Sequence, residues 1–320
     1  MAVYVTDSTV HNHYYTILQY IEFFEPVMNK FLTALLSIAS LALLGTKTQA
    51  QHYYYNENFY EKDLIWEVGT GVGVMGSITD LGKKGFNLTT ANVTSGFYVG
   101  AMYKNFIGAR FEMAWGKVQA ADSTAAKGSP AYDRNLNFRS NITEFSLLGE
   151  FHPLLAIAGE NVPKLSPYVL AGVAWFTFNP QTNLNGRWIN LAPLRTEGQT
   201  FEPFKATREK YNLSQVATPV GIGVKYELNQ LFTIRGEFLY RFLYTDYLDD
   251  VSKDYIDPAL FNAYLSPANA TLARAVYSRG RERDPNFNDA PGVARGNSAN
   301  NDSYWTASVK LGINLGRPRR

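Results

Sequence analysis

The stretch that decides the fold is Ser214–Tyr244, SQVATPVGIGVKYELNQLFTIRGEFLYRFLY. Read in steps of two, Val220 and Ile222 fall on an apolar face, whereas Lys225 and Glu227 fall on the opposite face. Its second half alternates in the same way after a turn. Side chains on a β-strand point alternately to the two sides, so the pattern predicts a hairpin of two long strands. Each strand has roughly a dozen residues, close to the ~9–11 tilted residues that cross a bilayer.

The rest of the chain repeats this unit. Six further stretches are predicted strands, namely 64–76, 96–104, 106–118, 138–151, 166–178 and 303–315. All of them alternate in the same way except 166–178, whose two faces are both apolar. The connections between strands are alternately long and short, with tight turns at 104–105 and 229–230 and the longest loop at 245–302. Short turns on one side and long loops on the other are typical of outer-membrane barrels. The sequence therefore predicts an all-β, antiparallel, up-and-down transmembrane barrel of eight strands with long extracellular loops.

Charged residues gather on the face opposite the apolar one. We expect them to form a network of paired charges in the barrel lumen, because eight strands enclose a space that side chains fill and an unpaired buried charge is costly. The predicted lumen network is Glu67, Arg110, Glu112, Glu144, Glu150, Lys225, Glu227, Arg235, Glu237, Arg241 and Lys310. Lys104 is expected to join it. Glycines on the same face, such as Gly69 and Gly223, are expected to leave room for the long Arg and Glu side chains.

The N-terminal region reads as an export signal. Lys30 precedes the apolar run FLTALLSIASLALL (31–44), and a small residue, Ala50, supplies a cleavage site before Gln51. The predicted organisation is a mis-assigned upstream extension at 1–27, a signal peptide at 28–50 cut after Ala50, a flexible leader at 51–63, the barrel at 64–316 and a basic tail at 317–320. The chain has no cysteine, which excludes disulfides, thiol catalysis and thiolate metal sites. A formal net charge of +2 does not point to nucleic acid.

Alternation does not itself say which face is inside. An exported soluble barrel would turn its apolar face inward and bind a small apolar ligand, so the location of the Glu and Arg set separates the two hypotheses. A third hypothesis is a lipid-modifying enzyme of the outer-membrane acyl-hydrolase type, in which His152 would need a nucleophilic serine within reach. No such serine is evident from the sequence. We therefore expect no enzyme activity, no catalytic residues and no cofactor.

An acidic segment, TDYLDDVSKDYIDPAL, opens the longest loop at Thr245–Leu260. Its carboxylates Asp246, Asp249 and Asp250 are weak candidates for Ca²⁺ ligands, since Ca²⁺ binds oxygen donors. The spacing is not that of an EF-hand, and a solvated or helix-capping loop is the alternative. In that interpretation Asp257 caps a short helix that begins near Pro258.

Several segments together resemble a known family. They are NLNFRSNITEF (135–145), SPYVLAGVAWFTFNP (166–180), LAPLRTEGQ (191–199), PVGIGVKYEL (219–228) and the acidic segment 245–260. The chain is similar over 64–315 to a family of bacteroidete outer-membrane β-barrel proteins of unassigned function, and LRTEGQ and TDYLDDVS are its most specific parts. That family more loosely resembles PorG, an outer-membrane barrel associated with type IX secretion. The resemblance implies a structural or interaction role in the outer membrane, outer-membrane lipid as a partner, and periplasmic or secretion-machinery proteins as further partners.

Overall fold

The computed structural model describes residues 64–158 and 163–315. The predicted upstream extension, signal peptide with its cleavage site, leader and basic tail lie outside these residues. Within them, ten strands follow one another along the chain. They are β1 (Leu64–Ile78), β2 (Asn92–Tyr103), β3 (Ile107–Ala121), β4 (Asn137–Phe151), β5 (Leu165–Thr177), β6 (Pro180–Leu184), β7 (Arg187–Asn190), β8 (Ser214–Glu227), β9 (Phe232–Leu243) and β10 (Ser303–Leu315).

Eight of these strands close into a barrel. Each pairs antiparallel with its neighbours in the order β3-β2-β1-β10-β9-β8-β5-β4, and β3 pairs with β4 to close the ring. The pairing of β1 with β10 joins the two ends of the barrel sequence, from Trp66↔Leu315 to Ile78↔Ser303. The predicted eight-stranded antiparallel barrel is confirmed.

Alternation along the strands separates an outer from an inner face. On β5, whose two faces are both apolar in sequence, Val169, Val173 and Trp175 are exposed, whereas Tyr168 and Phe176 are buried. The charged face predicted for the other strands points inward throughout. Lys104 is the exception: it lies in the tight turn between β2 and β3 with φ 46°, is exposed, and places its ammonium over the Tyr103 ring. The expectation that it joins the lumen network is wrong, because the turn ends the strand alternation.

The loop region contains a hairpin that was not predicted from the sequence. Strands β6 and β7 lie within the predicted loop 179–213, and β6 extends the sheet beside β4 through Ser140↔Pro180 and Arg139↔Gln181. Their turn is Asn185-Gly186, with φ 51° and 81°. Positive φ at both central residues is the type I′ geometry that Asn-Gly favours, so the signal was present in the sequence.

The helices of the described residues are short and lie between strands. They are α1 (Pro130–Arg134), α2 (Pro153–Ile157), α3 (Ala259–Tyr264) and α4 (Pro267–Val276). The single helix predicted within 258–283 is two helices, because Ser266 caps a new helix that begins at Pro267. Asp257 accepts a hydrogen bond from the amide of Ala259 at 2.9 Å, as the capping interpretation expects. In the part of the chain that the structure describes, no helix has the length and apolar character to span a membrane.

Candidate functional site: the ion-paired interior and the loop cap

The barrel interior centres on Arg110, which projects from β3. Its guanidinium binds Glu237 of β9 in bidentate fashion, with N–O distances of 2.6 and 2.9 Å. Glu150 of β4 lies 3.1 Å from the same group, and Glu112 of β3 lies 3.3 Å from it. All four side chains are buried. A planar guanidinium can serve several carboxylates at once, which makes arginine suited to this position.

Two further cations extend the network around the barrel. Arg235 of β9 makes a bidentate pair with Glu67 of β1, at 2.7 and 2.9 Å, and also contacts Glu150 at 2.8 Å. Lys310 of β10 lies 2.7 Å from Glu237. The network therefore crosslinks β1, β3, β4, β9 and β10 through side chains as well as through backbone pairing.

Towards the loop side, Arg241 of β9 and Glu144 of β4 form a second group. Their N–O distances are 3.0 and 3.2 Å, and the hydroxyls of Tyr304 and Thr306 complete the hydrogen bonds of the pair. At the turn side, Lys225 contacts Glu227 at 3.3 Å. Every residue of the predicted lumen network thus faces the interior.

The interior is filled by tyrosine rings as well as by ion pairs. Tyr98 donates a hydrogen bond to Glu67, and Tyr168 donates one to Glu237. A Cβ on Gly69 would lie 2.6 Å from the Tyr98 ring, and a Cβ on Gly223 would overlap Tyr168. Gly69 and Gly223 therefore make room for tyrosine rings, whereas a Cβ on Gly71 would meet Lys310 and a Cβ on Gly312 would meet Glu67. The expected role of the strand glycines, leaving room for long charged side chains, applies to some of them and not to others. A cavity of about 20 Å³ beside Arg241 has room for about one water.

His152 contacts a serine, Ser166, that was not predicted from the sequence. Its Nδ1 lies 2.9 Å from Ser166 Oγ, and its Nε2 lies 3.4 Å from a Glu150 oxygen. The three residue types are those of a hydrolytic triad, but all three side chains are buried and the imidazole stacks on Tyr168 at 4.6 Å. Glu150 is already bound by Arg110 and Arg235. A substrate has no access to Ser166 in this arrangement, and the contacts anchor the β4–β5 connection to the interior network.

The long loops fold together over one end of the barrel and form what we call the loop cap, residues 179–213 and 245–302. It has an apolar cluster of its own. The buried members are Leu191, Leu194, Phe201, Tyr255, Ile256, Phe261, Ala270, Ala273, Val276 and Tyr277. A loop region with its own core holds a defined surface, unlike a set of solvated loops.

The two segments most specific to the family resemblance contact each other in this cap. Glu197 of LRTEGQ accepts hydrogen bonds from the amides of Ser252 and Lys253, at 2.9 and 3.0 Å, and pairs with Arg295 at 2.9 Å. Thr196 donates to Asp250. Glu197 is fully buried, so its carboxylate supplies the hydrogen-bond acceptor that water would otherwise provide to two backbone amides and a guanidinium at the centre of the cap.

The three aspartates predicted as weak metal candidates have different roles. Asp250 accepts hydrogen bonds from Tyr211, at 2.6 Å, and from Thr196, so its oxygens are occupied by the protein. Asp249 accepts from the amide of Val251, and both oxygens of Asp246 are buried without a hydrogen-bond partner. Among the described residues, no three acidic or histidine side chains are arranged to hold a metal ion.

Asp246 and Asp249 instead face other carboxylates, Asp80 and Asp302, at the rim where the cap meets the barrel. Burial raises the pKa of Asp246 to about 7, and the nearby charges of Asp80 and Glu197 act in the same direction. Burial, together with Asp80, raises the pKa of Asp249 well above its ordinary value. The pKa of Asp302 is raised for the same reasons. At this rim, Asp246, Asp249 and Asp302 therefore favour the protonated form.

The pH dependence of stability should reveal this cluster. Folded Asp246 keeps its proton up to about pH 7, whereas an unfolded aspartate releases it near pH 4. The folded state binds more protons between those values, so the contribution of Asp246 to stability falls as pH rises from about 4 to 7. We expect Asp246→Asn to raise stability at pH 8 by on the order of 1–2 kcal/mol, after allowance for solvent screening, and to change it little at pH 4.

The measurement is the thermal unfolding midpoint of the purified protein in micelles at pH 4 and pH 8. Asp284→Asn, at an exposed aspartate of the same loop, is the matched control and should follow the wild-type curve. Identical pH profiles for Asp246→Asn and the wild type would contradict this assignment.

Comparisons with known proteins give structural neighbours but no family. No family model and no curated protein matches the sequence. Among solved structures, Neisserial surface protein A is similar at 10% identity and a TM-score of 0.36, covering 78% of this chain and 96% of that one. The attachment invasion locus protein Ail of Yersinia pestis has 9% identity and a TM-score of 0.34, covering 79% and 97%. A major outer membrane protein from Thermus thermophilus has 11% identity and a TM-score of 0.37, covering 79% and 100%. At these values the assignment of the fold rests on the strand pairing described above.

Proposed function

We propose that this chain is an outer-membrane β-barrel whose strands cross the lipid bilayer and whose loop cap is an interaction surface outside the cell. The observation that carries the proposal is the barrel exterior. Large apolar side chains cover it and are exposed; examples are Val99 at 46%, Leu147 at 55%, Ile222 at 64% and Val309 at 56%. Soluble proteins rarely expose a continuous apolar surface of this extent, whereas lipid requires one.

Aromatic side chains border this surface at both ends. The turn-side border includes the exposed Trp66, Tyr103 and Tyr226, and the loop-side border includes Trp115 and Trp175. Between the two borders, the outward positions of the eight described barrel strands hold no charged residue. Along β3, the distance from Ile107 to Trp115 is roughly 27 Å, or roughly 20 Å after a tilt of ~40°. This height is close to the apolar band of about 25 Å that outer-membrane barrels present.

The inward position of the charges argues against the soluble alternative. A barrel that binds an apolar ligand needs an apolar lumen, whereas Arg110, Arg235 and Glu237 occupy this one. The ion pairs and tyrosine rings that fill the lumen also disfavour a diffusion pore. The loop cap is therefore the candidate for function, because loops held on a rigid scaffold commonly contain the binding residues of a protein.

Cysteine labelling in intact cells tests both the location and the orientation. The chain has no native cysteine, so single cysteines report unambiguously. Asn286→Cys places a thiol on an exposed part of the cap, and Lys104→Cys places one in the exposed turn at the opposite end. We expect a membrane-impermeant maleimide to label the first in intact cells and the second only after the outer membrane is opened. Equal labelling of both in intact cells would contradict a spanning barrel.

An accessory role in type IX secretion is a finer proposal, supported by the resemblance of the LRTEGQ and TDYLDDVS segments. These segments pack against each other in the cap core, so their shared sequence serves the fold of the cap at least in part. Crosslinking from Lys104→Cys, on the periplasmic side in this orientation, should capture secretion-machinery proteins. Capture of none by this thiol would count against the secretion role and would leave the membrane location untouched.

A further inference from the structure

The backbone pairing between β2 and β3 ends before the strands do. The last pair is Ser95↔Trp115. Strand β2 nevertheless continues to Asn92 beside β1, and β3 continues to Ala121 beside β4. On the loop side of Trp115, the facing edges of β2 and β3 are therefore not paired with each other. At the point where they separate, the Thr94 hydroxyl donates a hydrogen bond to the Trp115 carbonyl at 3.0 Å.

An open cleft of about 400 Å³ lies at this separation on the outside of the barrel. Polar side chains from three strands line it: Asn92 and Ser95 of β2, Lys117 of β3, and Asn141 and Thr143 of β4. Lys117 is half-buried and takes part in none of the ion pairs found among the described residues. The cleft thus combines one cation with amide and hydroxyl groups.

The position of the cleft along the barrel axis determines which part of a membrane would surround it. Trp115 packs edge-to-face on Phe97 at 5.2 Å and belongs to the loop-side aromatic border. Lys117 lies two positions beyond Trp115 on the same outward face, and Val93 contributes an apolar wall. If the barrel spans the membrane as proposed above, the lower part of the cleft meets acyl chains and Lys117 lies at headgroup level.

The separation begins at Trp115, so the unpaired edges lie at the level of the lipid headgroups and not among the acyl chains. A polar headgroup can therefore reach the space between the strands. A lysine ammonium beside hydroxyl and amide groups suits a phosphate. We propose that the cleft between β2 and β3 binds the phosphorylated headgroup of an outer-leaflet lipid, with Lys117 as the cation and Asn141 as a neighbouring donor; this rests on the proposed membrane location.

Native mass spectrometry of the purified protein in neutral detergent micelles tests the proposal, with bis-phosphorylated lipid A as the probe. We expect binding at 1:1 and a loss of affinity of about tenfold or more in Lys117→Ala, since a charge-assisted contact to phosphate is removed. Lys117→Arg should bind within about threefold of the wild type. Lys104→Ala, a lysine removed from the opposite end of the barrel, is the matched control and should bind as the wild type does.

Three results would overturn the proposal. They are equal affinity in Lys117→Ala and the wild type, equal binding of dephosphorylated lipid A, and complete displacement by millimolar inorganic phosphate, which would indicate a free-phosphate site. Cells that express the wild type and each variant are also separated into membrane and soluble fractions. A wild type found outside membranes overturns the location, whereas a membrane-bound wild type that binds lipid independently of Lys117 overturns only the cleft.

Discussion

Replacing Arg110 with methionine is expected to destabilise the folded barrel by about 3–5 kcal/mol, the range for breaking a buried ion pair. The loss removes the cation from Glu237, Glu150 and Glu112, whose oxygens lie 2.6 to 3.3 Å from the guanidinium. Glu237 and Glu112 would keep Lys310, and Glu150 would keep Arg235, but two cations would then serve carboxylates that three serve in the wild type. Methionine keeps much of the volume, so the effect reports this shortage of positive charge and not a large cavity. The measurement is urea unfolding of the purified protein, followed by the gel mobility of unheated samples.

A second substitution separates charge from packing. Glu237→Gln added to Arg110→Met removes one of the excess carboxylates while Gln keeps its shape, and Lys310 keeps Glu112 as a partner. The double variant should therefore regain part of the lost stability, because the two residues are coupled. Lys104→Met, at the exposed turn, should leave the unfolding curve unchanged. Wild-type stability in Arg110→Met would contradict the view that the interior is held by this network.

Placing an arginine on the barrel exterior at mid-height is expected to cost about 2–4 kcal/mol in lipid vesicles. Leu147 is the chosen site, since it is 55% exposed and is flanked by Phe111 on β3 and Val173 on β5. In a bilayer the guanidinium of Leu147→Arg would lie among acyl chains. In a soluble barrel the same side chain would lie in water and would cost little.

Ile157→Arg is the matched control for this experiment. Ile157 is also apolar and exposed, at 81%, but it lies in α2 at the turn side of the barrel, beyond the apolar band. We expect it to fold into vesicles as the wild type does. If Leu147→Arg folds as readily as Ile157→Arg, the apolar exterior does not face lipid.

The sequence allowed the barrel to be predicted because alternation is a local property. Seven of the eight barrel strands show it within about a dozen residues, and neither a partner strand nor a register is needed to see it. The exception is β5, whose two faces are both apolar. The one missed hairpin, β6–β7, also carried a local signal in Asn185-Gly186. It was missed because its strands have only five and four residues, too few to establish a period.

The partners within the site could not be predicted, because they depend on register across the barrel. Arg110 and Glu237 are 127 residues apart in sequence, and Arg235 and Glu67 are 168 apart. Alternation identifies which charges face inward and leaves open which of them meet. Ser166 and His152 are 14 residues apart and meet through the β4–β5 connection, whose path strand alternation does not predict. The acidic segment illustrates the same limit, since Asp250 is bound by Thr196 and Tyr211 from another loop.

The account as a whole depends on a closed barrel with lipid outside and ion pairs inside. Separation of inner and outer membranes from cells that express the chain, with gel mobility of heated and unheated samples, tests this most directly. We expect the protein in the outer-membrane fraction, and a band that changes mobility on heating because a closed barrel resists detergent until heated. A soluble protein with the same mobility before and after heating would contradict the account.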